Sequence, residues 1–295
     1  MTAFEDIRTR AKPRCDLRVH AHAATRNPSD QVVLIAFFSA LFALHFGLRL
    51  ASPAFADPGA AAFNAAQMLG FAAIAVVLER IGGDRILQRR DFTAIMIAAI
   101  MLVHPWQGAG VFVMTGLGLW FLRRRDRCLV SLGQLCLGLA CLEFWGRAAL
   151  TLVADGLLPL ETALAFAATS PFGPVKLVGN SILASNWIGI SVYAQCSALN
   201  AMFATTFIWL SLVKIENSEF QRWQFQVLAK ALLAVLLINT TRLALMAQSE
   251  NQYLVMHAGI GAKVASIAML AAVFGLYYIG LRRKRLPLPE SSCAG

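Results

Sequence analysis

The chain has 295 residues and a mass of 32.0 kDa; 58% of its residues are hydrophobic and only 14% charged, with a mean hydropathy of +0.62. That composition excludes a soluble domain and leaves room for about eight spanning helices of about 20 residues each, without a large soluble domain beside them. The net charge of +10 does not call for nucleic acid as a partner, because Lys and Arg cluster at the flanks of apolar runs, where they act as a topology signal.

Residues 1–30 are a basic polar leader carrying Arg8, Arg10, Lys12, Arg14, Arg18 and Arg26, expected to be disordered and cytoplasmic. The first apolar run, Gln31 to Ala51, is followed by a turn from Ser52 to Ala60 with Pro53, Asp57, Pro58 and Gly59 but no Lys or Arg, which reads as exported. Ala54-Phe55-Ala56 before Asp57 resembles a signal-peptidase site. The leader and the run both exceed the usual secretory pattern, whose apolar core has about 7 to 15 residues, so retention as a spanning helix is expected. The second run, Ala61 to Leu78, ends at Arg80, Arg85, Arg89 and Arg90 and therefore in the cytoplasm. A hairpin comes next: Phe92 to Val103, the turn His104-Pro105-Trp106-Gln107-Gly108, and a Gly-rich run to Leu122. Both arms are short for a full crossing, which suits a tilted or partly re-entrant pair. Arg123 to Arg127 returns the chain to the cytoplasm.

The run from Cys128 to Val153 leads outward again. Asp155 to Gln195, with Pro159, Pro171, Gly173, Pro174 and Gly179, is expected to be the largest exported loop, its apolar stretches Leu160 to Phe166 and Trp187 to Val192 lying on the membrane as an interfacial helix or lid. Cys196 to Val213 leads inward to Lys214, with Arg222 and Trp223 as interfacial anchors. Phe225 to Ala247 leads outward to the polar turn Gln248 to Gln252, and Met256 to Leu281 returns to Arg282-Arg283-Lys284-Arg285. The expected fold is an all-α, polytopic transmembrane bundle of about eight helices with one long external loop. It comprises an integral domain over residues 31–281, a basic tail over 282–295, and both termini in the cytoplasm.

Against this layout three side chains stand out. Cys15 and Cys293 fall in the tails, and Cys128, Cys136 and Cys141 share one helix, where Cys is simply a small apolar residue. Cys196 is the thiol at the exported edge; without a disulfide partner it can remain a nucleophile, and at a helix start free N–H groups favour a thiolate. Arg242 sits roughly 7 Å below the outer end of its helix. Such a charge costs about 3 kcal/mol in a membrane, so it faces a partner or a wet interior unless it snorkels to the headgroups. Asn239 precedes it by three residues on the same face. His257, at the opening of the last run, shares that end of the bundle with the thiol and the guanidinium. Glu143 and Arg147, four residues apart, read as an internal ion pair. No metal or organic cofactor is indicated.

Tyr193-Ala194-Gln195-Cys196-Ser197-Ala198-Leu199, Asn239-Thr240-Thr241-Arg242 and His257-Ala258-Gly259-Ile260-Gly261 resemble the exosortase/archaeosortase family. In that family a Cys-Ser-Gly-Leu, an Asn-x-x-Arg and a downstream His stand on consecutive transmembrane helices near the outer face. The resemblance covers residues 187–274, and Ala198 stands where Gly is usual, as in a divergent member. It implies a membrane cysteine transpeptidase in a bacterial inner membrane, facing the periplasm or exterior. Its partners would be membrane lipids and exported proteins with a C-terminal sorting signal, built from a short motif such as Pro-Glu-Pro, an apolar helix and a basic tail. Independently of the family, amide cleavage by a thiol needs a thiolate, a proton donor for the leaving amine and positive charge for the oxyanion. Cys196, His257 and Arg242 are the candidates, with Asn239 and Ser197 as candidate substrate-binding residues. A transporter or channel with Arg242 and His257 lining its pathway is the alternative from another class. It lacks the internal repeat and midplane polar site that transporters usually have. An acyl- or prenyl-transferase using the same thiol is a third reading, without the acidic clusters that prenyl chemistry needs.

Overall fold

The computed structural model describes residues 29–50, 61–81, 87–103, 108–185, 187–216 and 219–285. The leader, the Ala54-Phe55-Ala56 site, the turn at Pro105 and the final tail lie outside the described residues. The chain is mostly helical. In order come α1 (Ser29–Leu50), α2 (Ala61–Arg80), α3 (Arg89–Val103), α4 (Ala109–Leu122), α5 (Arg127–Ala140), α6 (Gly146–Thr169), α7 (Ala198–Ile215), α8 (Arg222–Met246), α9 (Glu250–His257) and α10 (Ile260–Arg285). Among the described residues four stretches are long and apolar enough to cross a membrane: Arg127–Phe172, Ala198–Ile215, Arg222–Met246 and Ile260–Arg283. Shorter apolar helices lie at Asp30–Leu44 and Ala109–Leu122. This is a membrane protein, and its helix starts are chemically marked. Asp126 accepts from the Leu129 N–H at 2.9 Å, Ser249 from Gln252 at 3.2 Å, and Gln221 and Gln224 form a reciprocal capping box.

Residues 155–195 differ from the expected external loop. A π turn at Cys141–Trp145 joins α5 to α6, and the helix continues past Gly156 and through Pro159 to Thr169. From Leu158 onward its buried residues are Leu158, Glu161, Thr162, Ala165 and Thr169, a stripe at spacings of three and four. Burial of that stripe outweighs the lost backbone hydrogen bond of one proline. Beyond it lies a small antiparallel sheet that the all-α expectation did not contain, formed by β1 (Val175–Val178), β2 (Ser181–Ala184) and β3 (Ile190–Ser191) in the order β1-β2-β3. Its apolar face, Ile182, Ile190 and Val192, packs with Leu158 and Ala165 of α6 and with Leu243 and Met246 of α8. Of the two stretches expected to form an interfacial helix or lid, Leu160 to Phe166 is part of α6, and Trp187 to Val192 leads through β3 of a sheet seated on the ends of α6 and α8. The polar turn after α8 also differs, because Ser249 starts the separate helix α9. His257 closes α9, and the last long helix begins at Ile260.

The two ends of the bundle carry different chemistry. At one end the Arg80 guanidinium donates to the carbonyls of Lys214 (2.8 Å) and Ile215, tying α2 to the end of α7. Asp91 accepts from Trp120 Nε1 at 2.7 Å, Arg124 Nε at 2.8 Å and the Gln88 N–H at 2.7 Å, which staples the α3–α4 hairpin. Arg127 pairs with Glu219 at 2.8 Å. The start of α7 and the end of α8 lie at the opposite end, about 27 Å away by the rise of the 18-residue α7.

Between the ends, Phe207 of α7 (3% exposed) fills a hole between α2 and α5. A Cβ at Gly70 would stand 2.4 Å from its ring and one at Gly138 2.6 Å, so small residues let these helices close on the ring. Gly138→Ala is expected to destabilise by about 1 to 3 kcal/mol through overpacking. Gly116→Ala, where a Cβ meets open space, should be neutral or stabilising by up to about 1 kcal/mol. Melting temperatures of the two variants in one detergent check this; a shift of the same sign and size in both would contradict it.

Candidate functional site

Cys196 ends a single 3-10 turn, Ala194–Cys196, and α7 starts two residues later behind the cap Ser197. The turn is tied down by Cys196 N–H to the Tyr193 carbonyl (2.9 Å), Ser197 N–H to the Ala194 carbonyl (3.3 Å) and Asn200 Nδ2 to that same carbonyl (3.1 Å). The half-buried Cys196 packs on the cluster that seats the sheet. It is therefore outside the helix rather than opening it.

Glu161 organises this corner. It is 5% exposed, projects from α6, and accepts three hydrogen bonds: Ser197 Oγ to Oε2 at 2.5 Å, the Ala198 N–H to Oε1 at 2.7 Å and Asn239 Nδ2 to Oε1 at 2.7 Å. The Asn239 amide also donates to the Cys196 carbonyl at 2.9 Å. One carboxylate and one amide thus lock α6, the start of α7 and α8 together around the peptide unit of Cys196. Ser197 and Asn239, 4% and 3% exposed, were candidates for contact with substrate. Their donors are engaged internally, and the structure gives them a scaffolding position. Sequence reading missed Glu161 because it placed residue 161 in an exported loop. The signal was a lone acid in an apolar stretch, which is as costly in a membrane as Arg242 and calls equally for partners.

Arg242 is half-buried one turn beyond Asn239. Its Nε donates to the Met256 carbonyl at 2.9 Å and its Nη2 to the His257 carbonyl at 3.5 Å. The guanidinium so fastens the end of α9 to α8. The His257 ring is exposed and stacks on Tyr253 with centroids 4.9 Å apart and planes at 11°. Tyr253 in turn meets Trp187, whose Nε1 donates to the Ala247 carbonyl at 2.9 Å. Among the described residues no hydrogen bond joins the Cys196 thiol to the His257 imidazole. Nor does any group of three His, Cys, Asp or Glu there form a metal site.

Burial pushes the Cys196 thiol above its ordinary value of 9.0; the Arg242 charge and a backbone hydrogen bond at Tyr193 pull it down, and Glu161 pushes it up. Burial outweighs the two opposing pulls, so the thiol is raised, because the sulfur sits in an apolar corner ahead of the helix. Attack on a substrate then requires a base. Comparison with protein-family models, with curated proteins and with solved structures gives no match.

Glu161→Leu should cost about 3 kcal/mol, since it strands the buried Ser197, Ala198 and Asn239 donors, whereas Glu161→Gln should cost less because it keeps an acceptor oxygen. Thermal unfolding in detergent reads both, and equal stability of Glu161→Leu and the parent would refute the knot. Alkylation of Cys196 gives a second check. With the thiol raised by burial, its rate should still be climbing from about pH 7 to 9, and Arg242→Gln should slow it at each pH. A rate already level at pH 7 would mean a resting thiolate.

Proposed function

We propose that this protein is an exosortase-like membrane cysteine transpeptidase. The observation that carries the reading is the tie between Cys196 and α8. Asn239 holds the Cys196 carbonyl, and one turn later Arg242 brings a positive charge to bear on the thiol and fastens the backbone of His257. The three motifs behind the family resemblance are thereby joined at one end of the bundle. Eight crossings with both termini in the cytoplasm put the basic end inside under the positive-inside rule. The Cys196 end then faces the periplasm or exterior of a bacterial inner membrane.

In this reading the Cys196 thiol gives its proton to the His257 imidazole as the sulfur attacks the substrate carbonyl, forming a C–S bond and an oxyanion. Arg242 stabilises that oxyanion; Nε and Nη2 already hold backbone carbonyls, so Nη1 serves it. The C–N bond then breaks, the imidazolium protonates the leaving amine, and a thioester remains on Cys196. An acceptor amine, hydroxyl or water attacks the thioester, loses its proton to His257 and restores the thiol. The substrates are exported proteins with a C-terminal sorting signal, and the gathering of polar residues at one end favours this over a transport pathway through the midplane.

Pulse-chase of a co-expressed precursor carrying a sorting signal tests the proposal. Cys196→Ala should abolish processing, and His257→Ala should remove all but a trace. Arg242→Lys should slow it by about a hundredfold, because a point charge lacks the guanidinium fork. Processing at the parental rate by Cys196→Ala would refute the reading.

A further inference from the structure

β3 is an edge strand that leads directly to Cys196. Its one partner among the described residues is β2, with Ser181 opposite Ser191 and Ile182 opposite Ile190. The Val192 N–H donates to the Asn180 carbonyl at 2.8 Å. In an antiparallel ladder hydrogen-bonded and non-hydrogen-bonded pairs alternate, so Ser181 and Ser191 form a non-hydrogen-bonded pair whose backbone groups face away from each other. On β2 those groups meet β1, where Val178 stands opposite Ser181. On β3 the N–H and C=O of Ser191 face a side that carries no further strand among the described residues.

This edge is held firmly. The Ser181 and Ser191 hydroxyls are 2.8 Å apart. Gly189, at φ +86, brings the backbone so near β2 that a Cβ would stand 2.1 Å from the Ile182 carbonyl oxygen. Ile190 and Val192 anchor the inner face at 5% and 2% exposure, while Ile188 and Tyr193 flank the edge at 89% and 67%. No Pro or Lys guards Ile188 to Tyr193, although natural edges are commonly blunted by such residues. From Ser191 to Cys196 is five residues, at most about 17 Å of chain.

We propose that the free edge of β3 receives an extended segment of the substrate polypeptide by strand addition, pairing with the Ser191 N–H and C=O and presenting the scissile bond to Cys196. This rests on the peptidase reading above and specifies how that substrate is held. Main-chain pairing sets the register of the segment, and Ile188 and Tyr193 select among its side chains. The paired residues of the substrate lie within about five positions of the cleaved bond, by the reach of an extended chain.

The test uses the full-length protein in its own cells, with p-benzoylphenylalanine in place of Tyr193 and, as a control, in place of the exposed Ile267 of α10. Illumination followed by mass spectrometry should cross-link position 193 to the same polypeptide that is found as a thioester on Cys196, within about five residues of its cleaved end. Position 267 should not capture it. Ser191→Pro, which removes an N–H that β2 does not use and is tolerated at a sheet edge, should cut the cross-link at least tenfold; Ser191→Ala, which keeps the N–H, should not. Unchanged alkylation of Cys196 in the proline variant reports an intact fold. A Cys196 thioester with no cross-link at 193, or a cross-link indifferent to Ser191→Pro in the intact fold, would overturn strand addition and leave the peptidase reading standing. Absence of any polypeptide on Cys196 would overturn both.

Discussion

A carboxylate with three donors, buried where a membrane protein has little water to offer, holds the working corner of this molecule together. Glu161 receives Ser197, the Ala198 backbone and Asn239, and each of those donors would be costly to leave unsatisfied in an apolar setting. Asn239 extends the lock to the Cys196 carbonyl. The peptide unit that carries the thiol is thereby fixed to α8, the helix that carries Arg242.

The rest of the fold serves to keep that corner in place. Packing of Phe207 against two glycines sets how closely α2, α5 and α7 approach, and a polar weave from Arg80 to Tyr277 closes the other end. Positive charge is concentrated there, about one helix length from the thiol. The Cys196 end keeps a few engaged polar groups and an aromatic shelf of Trp187, Tyr253 and His257.

The membrane class and the long helices were legible in the sequence because apolar runs bounded by basic clusters leave little freedom. Cys196, Asn239 and Arg242 were conspicuous as well, as polar groups at the edge of an apolar run; the structure joins Asn239 to the Cys196 carbonyl, while Arg242, one turn on, holds the carbonyls of Met256 and His257 instead. Glu161 and the sheet were not. Gly156 and Pro159 look like breakers when read locally, and only the buried stripe from Leu158 to Thr169, which depends on what packs against it, keeps that segment helical. The sheet escaped notice because its strands are two to four residues long, too short for an alternating pattern to emerge. His257 was placed at the start of a helix and lies at the end of another, because a Ser cap at residue 249 turns a polar loop into α9.

Burial raises the half-buried Cys196 thiol against the pull of the Arg242 charge, so in the proposed reading attack waits on a base. The direct measurement is intact-protein and peptide mass spectrometry of the chain isolated from its own cells after a rapid acid quench. The account predicts a polypeptide fragment attached through Cys196, released by neutral hydroxylamine as a thioester is, and missing from Cys196→Ala. Cargo cleaved with no adduct on Cys196, or with the adduct on another residue, would contradict it.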